Sequence, residues 1–497
     1  MPSEIQQFMD ADFSMGLNVD LPDIMKVNEE LSEATNAEIM NRGGIRKRFG
    51  VETVNTTSYE AEVSQVIEWP RDDGNINLLA IIGNDLCDIA GDGSKTVIQS
   101  LDNDYIPYFF LQDKFYFIDA GTEYYVYDGS TVQAVTANPD GENNLAPIKN
   151  CMFAHYHSES NRIFFAGNFN DRSALYYSEF NDPTFVKGAS VVYPTRAEGP
   201  ILGLSVLMDA IIVGYRHGNW VWRGIDPAAD AIWEKLPTAH GPANGDSFAL
   251  TTSSLSMVSD DGIFALTPSI IGISMENEAG QNYIMNITKD RVSNLIKSCT
   301  NKGNIRTVFH SESGRFLMAY SDQPSGVNNK ILNFDFDTQA FSTYDGLQIN
   351  DFCQLLNGDL YAATDNYILR FTDYSVEDIK PDGIAAVIPF KMKTVKYTFG
   401  NPFMKKKVHK IFVMFKNFGE LHELKLSLYV DDTKKEEYTM NGDNSDNEII
   451  TRRLKTYYSG SNFQIEIENT QYSEVEIYGI GFYYTEADTG GRKVTNV

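Results

Sequence analysis

One local pattern recurs along most of this chain: two short apolar or aromatic runs flank a turn rich in Gly, Asp and Asn. It is seen at Asn77–Gly93 (NLLAIIGNDLCDIAGDG), Asp113–Gly129 (DKFYFIDAGTEYYVYDG), Asn161–Pro183, Asp209–Gly224 (DAIIVGYRHGNWVWRG) and Ser253–Pro268. Gly314–Gly346 and Gly358–Tyr374 continue the series. Runs of this length bounded by turn formers are antiparallel hairpins. The starts lie 36 to 61 residues apart, most of them 44 or 48. Such a period suits one four-stranded propeller blade per repeat. The expected fold is all-β, with a six- or seven-bladed β-propeller over residues 61–384. An array of sandwiches would show similar hairpins, but length and spacing favour the propeller.

The flanks differ from the repeats. After residue 385, Leu424, Leu426, Leu428 and Val430 alternate with Lys425, Ser427 and Tyr429. Phe463, Ile465 and Ile467 alternate with Gln464, Glu466 and Glu468, and Val475, Ile477 and Ile480 follow. Period-two alternation means strands with one dry and one wet face. A C-terminal β-sandwich is therefore expected over 385–485, followed by a polar tail over 486–497. Residues 1–60 carry few strand signals before the basic knot Arg42–Arg48 (RGGIRKR). They read as an extended N-terminal arm, which must lie on another domain or another subunit. One helix is expected near Lys289–Ser298, as an insertion between blades spanning about 284–298. Ile284, Ile287, Val292, Leu295 and Ile296 share its apolar face, Thr288 is its expected N-cap, and Asp290 sits in its first turn.

Composition narrows the function classes. With 41 Lys+Arg against 68 Asp+Glu, the net charge is −27. Such a chain repels phosphate backbones on average, which argues against coating DNA. Hydrophobic residues make up 42%, enough for packed cores. The start, MPSEIQQF, has neither a basic n-region nor an apolar h-region, and no apolar run approaches the ~18 residues that span a bilayer. Cys87, Cys151, Cys299 and Cys353 lie far apart with no CxxC pair and are expected to be reduced. The expectation is a soluble, acidic protein made in a cytoplasm, with no membrane segment.

Catalytic motifs are missing. There is no GxGxxG after a strand, no GxxxxGK[ST], no HExxH and no GxSxG, and no cofactor is expected. His155 and His157 (HYH) fall on one strand face without further ligands at motif spacing and read as polar residues of a wet face. Asp443, Ser445, Asn447 and Glu448 resemble half a calcium loop, but a solvated turn fits better. Asp260–Asp261 and Asp335/Asp337 are carboxylate pairs of the kind a glycosidase needs, yet pairs are cheap among 68 acids. Trp220, Trp222 and Trp233 read as blade core rather than a sugar platform. No catalytic or metal-ligating residue is named.

Two basic clusters stand out against the acidic background. One is Arg42, Arg46, Lys47 and Arg48. The other is Lys405, Lys406, Lys407 and Lys410, with Lys391, Lys393 and Lys396 upstream. All eight residues of the two clusters are candidate subunit-interface positions, because a net-acidic subunit with basic knots can dock against copies of itself.

The segment Met15–Val54 resembles the N-terminal region of phage tail-nozzle and packaged-DNA-stabilisation proteins. The shared features are Gly16–Asn18, Pro22, Asn28–Glu29, Asn36 and the Gly44–Gly50 stretch (GIRKRFG). Thr307–Tyr320, Asn329–Gly346, Asp351–Phe371 and Thr398–Lys410 (TFGNPFMKKKVHK) are similar to phage structural proteins of the same kind. The resemblance implies a non-enzymatic tail protein of the virion, made in the host bacterial cytoplasm. It would form a homohexameric ring below the portal and adaptor and contact other tail proteins. Double-stranded DNA would pass through without sequence-specific binding and be held until ejection. An alternative is a tail-tip protein that binds the host surface; a polysaccharide-cleaving propeller enzyme is a third. The net charge suggests an acidic lumen that repels sliding DNA.

Overall fold

The computed structural model describes residues 4–136, 142–229, 232–267, 284–288, 291–379, 384–443, 445 and 447–486. Pro268, Lys289, Asp290 and the tail beyond Glu486, all named above, lie outside them.

The recurrent hairpins fold into a β-propeller. Six meanders form four-stranded sheets of their own: 63–100, 108–134, 153–192, 203–235, 248–286, and 351–371 completed by Val51–Thr53. Burial decreases outward within a blade. In the first, Ile76–Ile82 ends in four buried residues, whereas the outermost strand Lys95–Ser100 is mostly exposed. Inner strands are packed on both faces by neighbouring blades, so they read as apolar runs rather than as alternation. The tight turns use positive φ where the hairpin needs it, at Gln112 and Asp113 for example.

The ring is closed by sequence-distant strands. Val51–Thr53 pairs antiparallel with Ile368–Phe371, with Leu369 opposite Thr53 and Phe371 opposite Val51. The innermost strand of that blade, Asp351–Gln354, packs against Val63–Pro70 of the first. Closure by a strand from the far end of the chain removes a sheet edge and locks the disc.

A further meander, Arg306–His310 to Ala340–Asp345, stands between the 248–286 and 351–371 blades. It is the start of a ten-stranded sheet. Its last strand pairs with Gly16–Leu17 and Glu30–Thr35, and the sheet continues through Phe390–Thr394, Phe463–Asn469, Glu423–Val430 and Thr433–Asn441. A seven-stranded sheet faces its C-terminal half, built on Lys406–Lys416, Glu476–Glu486 and Ile449–Lys455. Val408, Ile411, Val413 and Phe482 on one sheet share a buried cluster with Leu424, Leu426, Ile465 and Ile467 on the other. The dry faces expected from alternation are therefore dry. The opposite face is not uniformly wet: Gln464 and Glu466 are buried. Gln464 Nε2 donates to Asp23 Oδ2 (3.1 Å) and Thr394 O (2.7 Å), so N-terminal residues cover that face.

Residues 1–60 were expected to be a coreless arm on another domain or subunit. Their described part lies on this chain's own sheets and supplies strands to both. Gln6–Asp10 and Ile45–Lys47 join the seven-stranded sheet, and Glu30–Thr35 bridges the 306–345 meander to Phe390–Thr394. The segment is a belt between propeller and C-terminal sheets. Asn36 shows how it holds. At φ 50° it donates from Nδ2 to Pro389 O (2.9 Å), while Oδ1 accepts from Arg48 Nε (2.9 Å) and Asp345 N (2.9 Å). Gly16, at φ +62°, lies so near the meander that a Cβ would sit 2.6 Å from Phe341 O.

The helix is shorter than expected, Ser293–Ser298, and Ile284 belongs to the strand Ile284–Asn286. Its N-cap is Val292, not Thr288, whose hydroxyl accepts from Ile263 N (3.1 Å). Val292 and Ile296 are buried, with Leu295 and Ile287 packed beside them. All four cysteines are free and buried. Among the described residues no helix is long and apolar enough to cross a membrane.

Candidate functional site

Three of the four residues of the first basic knot are spent inside the chain. Arg48 is 2% exposed and forms a two-nitrogen pair with Asp378 (2.9 and 2.8 Å). Lys47, also buried, donates to Gln471 O (2.7 Å), and burial pushes its ammonium down to about 8. Arg46 Nε bonds Glu38 (2.8 Å), which also receives Arg315 and the Tyr344 hydroxyl. Burial pushes the Glu38 carboxyl up, but Arg315 and Arg46 outweigh it and hold it below its ordinary value. Arg42 alone of the four is exposed.

The second cluster divides by strand alternation. Lys406 is buried and donates to Thr398 O and Asn401 O; Lys405, Lys407 and Lys410 are exposed. Lys410 stands directly opposite Lys455 across the β-ladder, a like-charge pair that is unfavourable without an anionic partner. Phe403, 92% exposed, lies in the loop before them. The upstream lysines are paired: Lys391 with Glu33 (3.2 Å), Lys393 with Glu466 (3.7 Å) and Lys396 with Asp432 (2.5 Å).

A well of about 900 Å³ opens on the propeller axis, at the end where most inner strands begin. Its polar groups come from separate blades. Asp246 is set by the turn Gly245–Ser247, which Asn244 caps by accepting from Asp246 N (2.8 Å). Asn244 Nδ2 also donates to Lys302 O, Gly303 O and Ile305 O, tying this turn to the strand that Arg306 opens. Tyr105 Oη donates to Asp246 Oδ1 (2.5 Å), and Arg306 Nη1 lies 3.3 Å from Oδ2. Asp351 opens the neighbouring inner strand and accepts from Val66 N (3.3 Å). Burial pushes its carboxyl up to about 7 against the opposing pull of Arg306. His155 lines the same well, and burial holds its imidazole down at about 4. Half-buried ionisable groups of both signs converging in one open well are the signature of a site rather than of a core.

None of Tyr105, Asp246, Arg306 and Asp351 was singled out from the sequence. The available signal was positional. Arg306 and Asp351 are each the first residue of an inner strand, and Asp246 lies just before one. His155 was noticed, but as part of a wet strand face. Instead it lines the well, and His157 is fully buried, bonded to Ser160 Oγ (2.8 Å) and Asp209 O (2.9 Å). The blade is packed on both faces there.

The remaining candidates are structural. Trp222 is fully buried and stacks on Trp233, with Trp220 packed on the same cluster. Asp335 Oδ1 accepts from Asp337 N (2.9 Å), closing a turn. Asp260 pairs with Arg216 (3.0 Å) and Asp261 lies 3.1 Å from His240. Asp443 Oδ1 accepts from Ser445 N (3.1 Å) and Asn417 Nδ2 (3.1 Å), and Arg452 lies 3.3 Å from its other oxygen. Among the described residues no group of three or more His, Cys, Asp or Glu could hold a metal ion.

No protein-family model matches the chain, and no curated protein sequence matches it. Solved structures resemble it in fold. The extracellular domain of a hybrid two-component system from B. thetaiotaomicron aligns at TM-score 0.46 and 11% identity, over 91% of this chain and 62% of that one. The extracellular domain of a one-component system from the same organism gives 0.41 and 13%, over 67% of this chain and 40% of that one. Virginiamycin B lyase from Staphylococcus aureus gives 0.36 and 12%, over 64% and 98%. The chain thus spans 40–62% of those sensor-domain structures.

Proposed function

We propose that this chain is a structural subunit of a bacteriophage tail, a nozzle component below the portal and adaptor. It assembles as a homohexameric ring that channels packaged DNA and retains it until ejection. In this reading the 306–345 meander is a seventh blade, and the two facing C-terminal sheets are the β-sandwich. The protein is made in the host cytoplasm, ends in the virion tail, and acts as a wall rather than an enzyme.

The observation that supports this reading most is where the phage-like residues lie. Gly16, Asn36, Arg48 and Gly50 all sit in the belt that welds propeller to C-terminal sheets through one continuous ten-stranded sheet. A subunit that must transmit axial load needs such a weld, because ordinary interdomain interfaces permit hinge motion. Lys405, Lys407 and Lys410, with Phe403, then remain as the outward basic-aromatic patch that an acidic neighbouring copy would cover.

The test is the oligomeric state of the purified full-length chain, read by mass photometry and negative-stain imaging. The expected result is hexamers with an axial hole, and a Lys405→Glu/Lys407→Glu/Lys410→Glu variant that stays monomeric with unchanged melting temperature. A wild-type monomer at every concentration overturns the proposal. The second reading, host-surface binding at a tail tip, is favoured by one feature, the open axial well.

A further inference from the structure

The axial well has no part in a wall or a conduit, yet it is built with care. Its polar groups carry both signs: Arg306 Nη1 lies 3.3 Å from Asp246 Oδ2, Tyr105 holds the other oxygen of Asp246, and Asp351 lines the same well. Arg306 Nε is buried with no hydrogen-bond partner. Asp351 Oδ2 accepts from Val66 N (3.3 Å), and the Phe352 backbone amide also favours its ionised form. Polar valence is therefore left unspent in a desolvated place, where an unmade hydrogen bond is costly.

The rim is aromatic. Phe169, 48% exposed, lines the well from a short loop. Asn168 fixes that loop: its Oδ1 accepts from Asn170 N (2.8 Å) and Asp171 N (3.2 Å), and its Nδ2 donates to Pro147 O (2.6 Å). Phe110 and Tyr156 line the wall below. A volume of about 900 Å³ lies within the range of small-molecule pockets and has room for more than one ring.

The chemistry selects the occupant. An anion would meet two carboxyl groups and a cation would meet Arg306. A neutral molecule that carries adjacent donors and acceptors, and one apolar face, satisfies the floor and lies against the rim. Vicinal hydroxyls on a pyranose ring have that form. We infer that the axial well is a saccharide-binding site, with Phe169 as the apolar platform and Asp246, Arg306 and Asp351 as the hydroxyl-binding floor. This site stands independently of the ring: a hexamer that binds no sugar, or a monomer that does, separates the two failures.

The experiment is saturation-transfer difference NMR on the full-length protein. The probes are glucose, galactose, mannose, rhamnose, N-acetylglucosamine and N-acetylgalactosamine, with thymidine and adenosine as flat, neutral competitors. At least one pyranose is expected to give a saturable signal with a dissociation constant on the order of 1 mM, which is about −4 kcal/mol. Its ring C–H protons should be the most strongly saturated. Phe169→Ala, a surface change, should weaken binding about tenfold, equivalent to 1.4 kcal/mol, with the melting temperature unchanged. Lys407→Ala, remote from the well, should leave binding intact. The inference is overturned if no pyranose saturates, if a nucleoside binds more tightly than every sugar, or if Phe169→Ala binds as the wild type does.

Discussion

Arg48 and Asp378 are 330 residues apart in sequence, and the guanidinium of one grips the carboxylate of the other through two parallel hydrogen bonds. Arg48 Nε holds Asn36 at the same time, and Asp378 Oδ1 also accepts from Val51 N (3.1 Å). The pair therefore fixes the belt beside Val51–Thr53, the strand that closes the propeller.

Arg48→Met should be more damaging than a surface charge change, because Asp378 is left largely buried without its cation. Breaking one side of a buried pair costs about 3–5 kcal/mol. Arg48→Met/Asp378→Leu should recover part of that loss, since neither charge is then stranded. Urea denaturation of the two variants and of Asp378→Leu alone closes the cycle; additivity of the single losses would show that the pair is not coupled.

Deleting residues 1–48 tests the belt as a whole. The deletion keeps Val51–Thr53 but removes Glu30–Thr35 from the ten-stranded sheet and Gln6–Asp10 from its partner on Glu476–Glu486. Residues such as Leu31, Ala34 and Ile45, all fully buried, leave the core with it. The truncated chain should expose its C-terminal sheets, bind a hydrophobic dye and lose the cooperative unfolding of the full-length protein. A truncated chain with native melting behaviour would mean that the belt is dispensable packing.

Much of the fold was legible because its signal is local. Hairpins announce themselves by apolar runs and turn residues, and Leu424–Val430 shows its dry face by alternation. The belt was not legible, since its strands are two to six residues long and most of its sheet pairings join partners far along the chain. Basic residues such as Arg48 and Lys47 looked like surface for the same reason: burial of their charge depends on a distant carboxylate or carbonyl, which no window of sequence contains. The axial site was hidden likewise, because Asp246, Arg306 and Asp351 meet only once the ring has closed.

Gly50 carries a sharp steric prediction. A Cβ there would sit 1.8 Å from Glu377 O, while Gly50 N donates to Ser375 O (2.8 Å) and its carbonyl accepts from Thr372 N (3.1 Å). Neither strand can withdraw without breaking those bonds. Gly50→Ala should destabilise the protein by about 1–3 kcal/mol, the usual cost of overpacking. Gly74→Ala in an open turn, where a Cβ meets nothing within 4 Å but φ is +84°, should cost only the smaller backbone penalty. Equal losses at both positions would show that the close approach to Glu377 is relieved by movement.

Asp351 predicts a pH dependence with a definite sign. Burial raises its carboxyl from 3.8 to about 7, so the fold favours the protonated form. Its contribution is fully present below the ordinary carboxylate value and is lost as pH rises through about 7. Asp351→Asn mimics the protonated side chain at every pH. The melting temperature of the variant minus that of the wild type should therefore increase between pH 5 and pH 8, at fixed ionic strength, by circular dichroism. Carboxylates elsewhere titrate in both proteins and cancel in the difference. A flat difference across that window would mean that Asp351 is already ionised in the folded protein, with Arg306 rather than burial deciding its charge.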